Sequence, residues 1–204
     1  MKIFRDSFEE NYMAYEESCD NKKGFRIRYE YVGPWYGYKL LEEEKQRYKR
    51  IFTGMCILST VFYALAALRK CELNYSSLPA LFTGLSMAAF LFQWFGVLKF
   101  LLSGEKITKE NFKEINGILN IVPYLNGILL LGAAISCIYL MIQKQSFSGM
   151  LTVPLFYLLA GVCCGLIGFF YKVLPYEKTK NHAMDGDSKK DSYVKDCEAR
   201  KNER

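Results

Sequence analysis

Apolar and charged positions in this chain are sorted into blocks instead of being interleaved. Four apolar runs, residues 51–68, 78–102, 115–142 and 147–171, lie between polar ends. The first, "IFTGMCILSTVFYALAAL", is bracketed by Arg50 and by Arg69 and Lys70. The second holds one charge, Lys99, close enough to its end to reach the headgroups, and the last two hold none. A helix needs roughly 20 apolar residues to cross the hydrocarbon core, whereas buried helices of soluble domains show runs nearer 10–14. A soluble helix also keeps one wet face, which would scatter charges through each run. The pattern predicts an all-α integral membrane fold, a bundle of four transmembrane helices within residues 51–172.

The charges outside the runs predict an orientation. Lys39, Lys45, Arg47, Lys49 and Arg50 precede the first run; Lys99, Lys106, Lys109 and Lys113 flank the second connection; Lys172, Lys178 and Lys180 follow the fourth run. Against these twelve, the other side has Arg69, Lys70 and Lys144. The positive-inside rule then places both termini in the cytosol. These inner-face bases account for the net charge of +6, so no polyanionic partner is needed. The opening "MKIFRDSFEENYMAYEE" lacks the apolar stretch and small-residue cleavage site of a signal peptide. The expected location is the plasma membrane, with anionic headgroups at the cytosolic face.

Residues 1–24 read as a polar N-terminal segment, and residues 173–204 as a disordered cytosolic tail, polar and too balanced in charge for a nucleic-acid arm. Residues 25–50 form an aromatic and charged juxtamembrane segment. Within it "FRIRYEYV" alternates, so Phe25, Ile27, Tyr29 and Tyr31 would share one strand face. Gly33 and Pro34 mark a turn, after which Tyr38, Leu41, Tyr48 and Phe52 recur at helical spacing. This cytosolic strand-turn-helix offers Tyr29, Tyr31, Trp35, Tyr36 and Tyr38 two uses. They can anchor at the membrane interface, or they can dock a partner, with strand addition at residues 25–32.

The stretch "RYEYVGPWYGYKL" ahead of a four-span block resembles small four-span membrane proteins of Gram-positive bacteria, a group without an assigned activity. The resemblance covers mainly residues 25–142 and rests on the Tyr-rich turn and the layout of the spans. It implies a bacterial plasma membrane and no particular chemistry.

Polar and small residues inside the runs predict how the helices meet. Asn116, Asn120, Pro123 and Gly127 fall on one face of the third span, with Asn126 on a different side. An amide in lipid must find a partner, so the Asn-bearing face is expected to look into the bundle. There it would bond a neighbouring helix or line a path for a polar solute. In the fourth span Gly161, Gly165 and Gly168 form a small-residue strip suited to close packing, within one chain or in a homo-oligomer. Ser86 and Gln93 in the second span, and Thr53, Thr60, Ala64 and Ala67 in the first, form comparable stripes.

Groups for catalysis, metal or cofactor binding are not recognisable. His182 is the one histidine; the vicinal Cys163 and Cys164 lack a nearby base; "DGDSKKD" (185–191) lacks the glycine and the closing glutamate of a calcium loop. No mid-span charge marks an ion or proton path. Cys56, Cys137, Cys163 and Cys164 read as small apolar residues, Cys19 and Cys197 as cytosolic thiols. Cys71 alone falls outside, so no stabilising disulfide is expected. The sequence thus points away from an enzyme and toward an accessory or regulatory subunit that meets a membrane-protein partner. The alternative is a small oligomeric transporter or channel using the Asn-bearing face.

Overall fold

The computed structural model describes residues 11–18, 25–144 and 151–179, which fall into two compact units. The larger comprises residues 38–105 and 110–176. Its helices are α1 (Glu42–Ala67), α2 (Ser77–Leu102), α3 (Lys109–Lys144) and α4 (Thr152–Val173), each long and apolar enough to cross a membrane. They are compatible with a multi-pass helical bundle. The helices overrun the apolar runs where helix-forming polar residues adjoin them. α1 starts at Glu42, nine residues before the first run, with Glu42, Glu43 and Glu44 in its first turn where acids suit the helix dipole. α3 starts at Lys109, six residues before the third run, with Glu110 in its first turn. Pro79 and Pro154 both sit in first turns, where a missing N–H costs no helical bond.

The side chains are arranged inside out relative to a soluble protein. Ile57, Val61, Leu91, Phe92, Ile128 and Phe169 face outward, while Ser59, Ser86, Gln93 and Asn126 are buried. In water this would expose apolar surface on every helix; in lipid it leaves the polar groups their only partners inside.

Two apolar clusters fill the bundle. One packs Leu130, Ala133, Ala134 and Cys137 of α3 against Val153, Tyr157 and Ala160 of α4, with Ala66 and Leu73. The other gathers Phe52, Phe100, Ile115, Ile167, Tyr171 and Leu174. Tyr38 joins the second: its ring meets Phe100 edge-on at 5.3 Å and its hydroxyl lies 3.1 Å from that of Tyr171. Its spacing predicts a place on the helical stripe. It instead ends a strand and packs into the core, and burial pushes its phenol far above the usual range.

Helix ends leave carbonyls without helical partners, and the bundle covers two such ends with side chains. Asn74, in the short 3-10 turn Glu72–Tyr75, donates from Nδ2 to the carbonyls of Ala66 (2.8 Å) and Arg69 (2.9 Å) at the end of α1. Its Oδ1 accepts from the Tyr157 hydroxyl at 3.1 Å. At the end of α2, Lys45 Nζ donates to Gly104 O at 2.7 Å, and Lys49 Nζ donates to Leu101 O and Ser103 O, each at 2.8 Å. The sequence pattern assigns both lysines to lipid headgroups; they are buried and cap a neighbouring helix, where a cation suits the dipole. Lys99 likewise pairs with Glu114. Asn74→Ala should cost about 1–2 kcal/mol, comparable to loss of a helix cap, measured by denaturant titration of the detergent-solubilised chain. Lys49→Met should strand two carbonyls and speed tryptic cutting after Lys106 in membranes, with Lys49→Arg closer to the parent.

The smaller unit comprises residues 106–109 and 177–179 with the described part of residues 1–37. Strands β1 (Tyr12–Ser18) and β2 (Phe25–Tyr31) pair antiparallel, Tyr12 opposite Tyr31. A three-stranded sheet has the order β4 (Ile107–Thr108), β3 (Trp35–Tyr38), β5 (Tyr176–Thr179). The strand at 25–31 and the turn after it match the sequence reading. The partner strand β1 inside the expected polar segment, the strand β3 in place of a helix start, and β5 at the head of the tail do not. Residues 180–204, with His182, Asp185–Asp191 and Cys197, lie outside the described residues, as do residues 1–10, Cys19 and the 145–150 connection.

Candidate functional site

The bundle's distinctive feature is a chain of polar side chains at its centre to which all four helices contribute. Asn126 of α3 is the hub. Its Oδ1 accepts from the Ser86 hydroxyl of α2 at 2.5 Å, and its Nδ2 donates to Gln93 Oε1 at 3.2 Å. The same Nδ2 lies 3.6 Å from Cys164 Sγ of α4. Gln93 Nε2 continues to Cys56 Sγ of α1 at 3.8 Å, and Ser59 donates to the Cys56 carbonyl at 2.9 Å. Cys56, Ser59, Ser86, Gln93, Asn126 and Cys164 are each 0% exposed. Among the described residues, no fully buried side-chain nitrogen or oxygen lacks a partner.

Helical spacing builds this site. Ser86 and Gln93 stand seven residues apart on one face of α2, and Cys56 and Ser59 three apart on α1, so each helix offers two groups at neighbouring depths. Trp94 adds a bond from Nε1 to Thr60 Oγ1 at 3.0 Å, again linking α2 to α1. None of the six members carries a charge. The arrangement can fix helix rotation and depth, since each bond satisfies an amide that has no water to turn to, at about 0.6–2 kcal/mol apiece. It holds no acid–base pair for chemistry.

The Asn-bearing face singled out in the sequence divides. Pro123 and Gly127 are buried, whereas Asn116 and Asn120 are half-buried and bond each other, Asn120 Nδ2 donating to Asn116 Oδ1 at 2.8 Å. Asn126, on a different side by helical spacing, makes the bonds between helices. Gly127 and Gly161 meet across α3 and α4: a Cβ on either would come within 3.2 Å of the other's carbonyl oxygen. Gly168 faces the Tyr124 ring, and Gly165 opens onto free space on its Cβ side. The small-residue strip is therefore a contact between two spans of one chain at Gly161 and Gly168.

The aromatic residues of the juxtamembrane segment are also placed. Tyr31 meets Tyr12 and Trp35 edge-on at 5.3 and 4.8 Å; its hydroxyl donates to Pro34 O and accepts from the Lys109 N–H, both at 2.8 Å. Tyr31, Trp35 and Tyr36 are half-buried, and Tyr29 is 58% exposed. A shallow groove on the first turns of α1 is lined by Glu43, Glu44, Arg47, Arg50 and Ile51, with both charge signs present. Comparison with protein-family models, curated proteins and solved structures found no match.

Proposed function

We propose that this chain is a non-catalytic multi-pass protein of the plasma membrane, with both termini in the cytosol, serving as an accessory or regulatory subunit of a membrane complex. The observation that carries this reading is the contrast between two sets of amides. Gln93 and Asn126 spend their bonds inside the bundle and offer a solute nothing. Asn116 and Asn120 stay partly outside, roughly 10–17 Å along α3 from its start by the helical rise. Their mutual bond uses one donor and one acceptor, and two amides have more to give. An amide pair on a span's outer side fits a polar contact with a helix of another protein. The exposed Tyr29 offers a second contact outside the spans.

Replacing Asn116 and Asn120 with leucine should change bundle stability by no more than about 1 kcal/mol, yet abolish partner capture. A photoreactive residue at Gly117, exposed beside the pair, should crosslink a recurrent protein from native membranes, and the double substitution should remove that band. Crosslinks to lipid alone would overturn the subunit reading. If cysteines placed along 116–131 react with water-soluble maleimide, a solute path through an oligomer becomes the better account.

A further inference from the structure

The charged residues in the first turns of α1 divide between two faces. Lys45 and Lys49 turn inward and are spent on the carbonyls at the end of α2. Glu43, Glu44, Arg47 and Arg50 stay exposed and, with Ile51, line one open groove of about 660 Å³. Glu43 and Arg47 stand one turn apart, yet among the described residues they form no ion pair with each other or with any other group. Arg50 donates from Nε to its own helix, to Gln46 O at 3.4 Å, which lays the side chain along the helix. The charges are also ordered along the axis. The acids come first, the bases follow about 4–10 Å further on by the helical rise, and the apolar run begins at Ile51. On the same helical face Gly54 comes next, with nothing within 4 Å of the place its Cβ would take, and then the exposed Leu58, Val61 and Leu65.

We propose that this groove binds one zwitterionic aminophospholipid, a phosphatidylethanolamine, in the leaflet where α1 enters the bilayer. The order of charges matches that molecule from its tails outward. Its acyl chains lie on Leu58, Val61 and Leu65, with the notch at Gly54 leaving room for the glycerol. Its phosphate meets the guanidinium groups of Arg50 and Arg47, whose planar forks suit phosphate oxygens. Its ammonium, at the outer end, donates to the carboxylates of Glu44 and Glu43. An anionic lipid such as phosphatidylglycerol can satisfy the arginines but leaves both carboxylates facing a headgroup with no cation. The glutamates therefore set the selectivity. The site needs α1 to cross the bilayer; it does not need a partner subunit.

The test uses the purified full chain in a non-ionic detergent, with lipids added singly and the bound adducts counted by native mass spectrometry. Dioleoyl phosphatidylethanolamine should leave one retained adduct per chain, roughly fivefold more than dioleoyl phosphatidylglycerol at equal concentration, about the worth of one charge contact at a membrane surface. Arg47→Gln with Arg50→Gln should remove that adduct. Glu43→Gln with Glu44→Gln should keep a lipid but erase the preference, phosphatidylglycerol then binding at least as well. Glycerophosphoethanolamine, the same headgroup without acyl chains, should not compete, which separates a lipid from a soluble phosphate ester. All four side chains are exposed, so neither pair of substitutions should disturb the fold. Equal adducts of the two lipids on the parent chain would overturn the proposal. So would an adduct that survives loss of the arginines, a preference that survives loss of the glutamates, or displacement by glycerophosphoethanolamine.

Discussion

Replacing Asn126 with leucine should lower the unfolding free energy of the detergent-solubilised chain by about 2–3 kcal/mol, read by denaturant titration followed through tryptophan fluorescence. Lost hydrogen bonds alone would give less, since interhelical bonds in membranes average about 0.6 kcal/mol. The larger figure comes from what remains. Ser86 can turn its hydroxyl to a carbonyl of its own helix. Gln93 Oε1 loses its Asn126 donor at a site with no exposed surface, and an orphaned buried polar group costs about 1–3 kcal/mol. A control follows from this difference. Removing the whole chain at once, Ser86→Ala with Gln93→Leu and Asn126→Leu, should recover most of the loss, because no orphan is then left. A single Asn126→Leu change within about 0.5 kcal/mol of the parent would show that the amide hub does not hold the helices.

Gly161→Leu should be at least as damaging, about 3 kcal/mol or more, with loss of folded protein from membranes. The atom facing its Cβ is the backbone oxygen of Gly127 at 3.2 Å, which cannot swing aside as a side chain can. A leucine therefore forces α3 and α4 apart and breaks the apolar contacts around Leu130, Val153 and Ala160. Gly161→Ala needs the neighbour to yield only a few tenths of an ångström and should cost about 1 kcal/mol. Gly165→Ala meets nothing within 4 Å and should stay within about 0.5 kcal/mol of the parent. A decreasing cost from Gly161→Leu through Gly161→Ala to Gly165→Ala separates this packing from a generic small-residue motif, which would penalise Gly165 as much as Gly161.

The spans were legible because their signal is additive: a run of twenty apolar residues survives any local detail. Depth and facing were less so. The Asn116 to Gly127 stripe draws attention because four small or polar residues repeat at helical spacing. Which amide turns inward depends on the rotation of α3 against three other helices, and that rotation places Asn126 at the centre. Lys45 and Lys49 look like headgroup contacts because flanking bases usually are. Nothing local reveals that the end of α2 stands within 3 Å of both ammonium groups. Strand β5 is hidden for the related reason that it is short, polar and defined by a partner distant in sequence, whereas β1 pairs with the next strand, β2, and lacks the apolar–polar alternation that would mark it. Tyr38 lies at helical spacing from Leu41 but before the acidic run that starts the helix, so the spacing is real and the element is not.

The subunit reading requires four helices to cross a bilayer with the residue 106 connection and both chain ends on one side. A short epitope inserted after Lys70, after Lys106 or after Glu177, probed by antibody on intact and then permeabilised cells, decides the matter. Staining of intact cells is expected for the Lys70 insertion alone, the other two appearing only after permeabilisation. Surface staining at Lys106 or Glu177, or a parent chain that stays in solution without detergent, would contradict this arrangement.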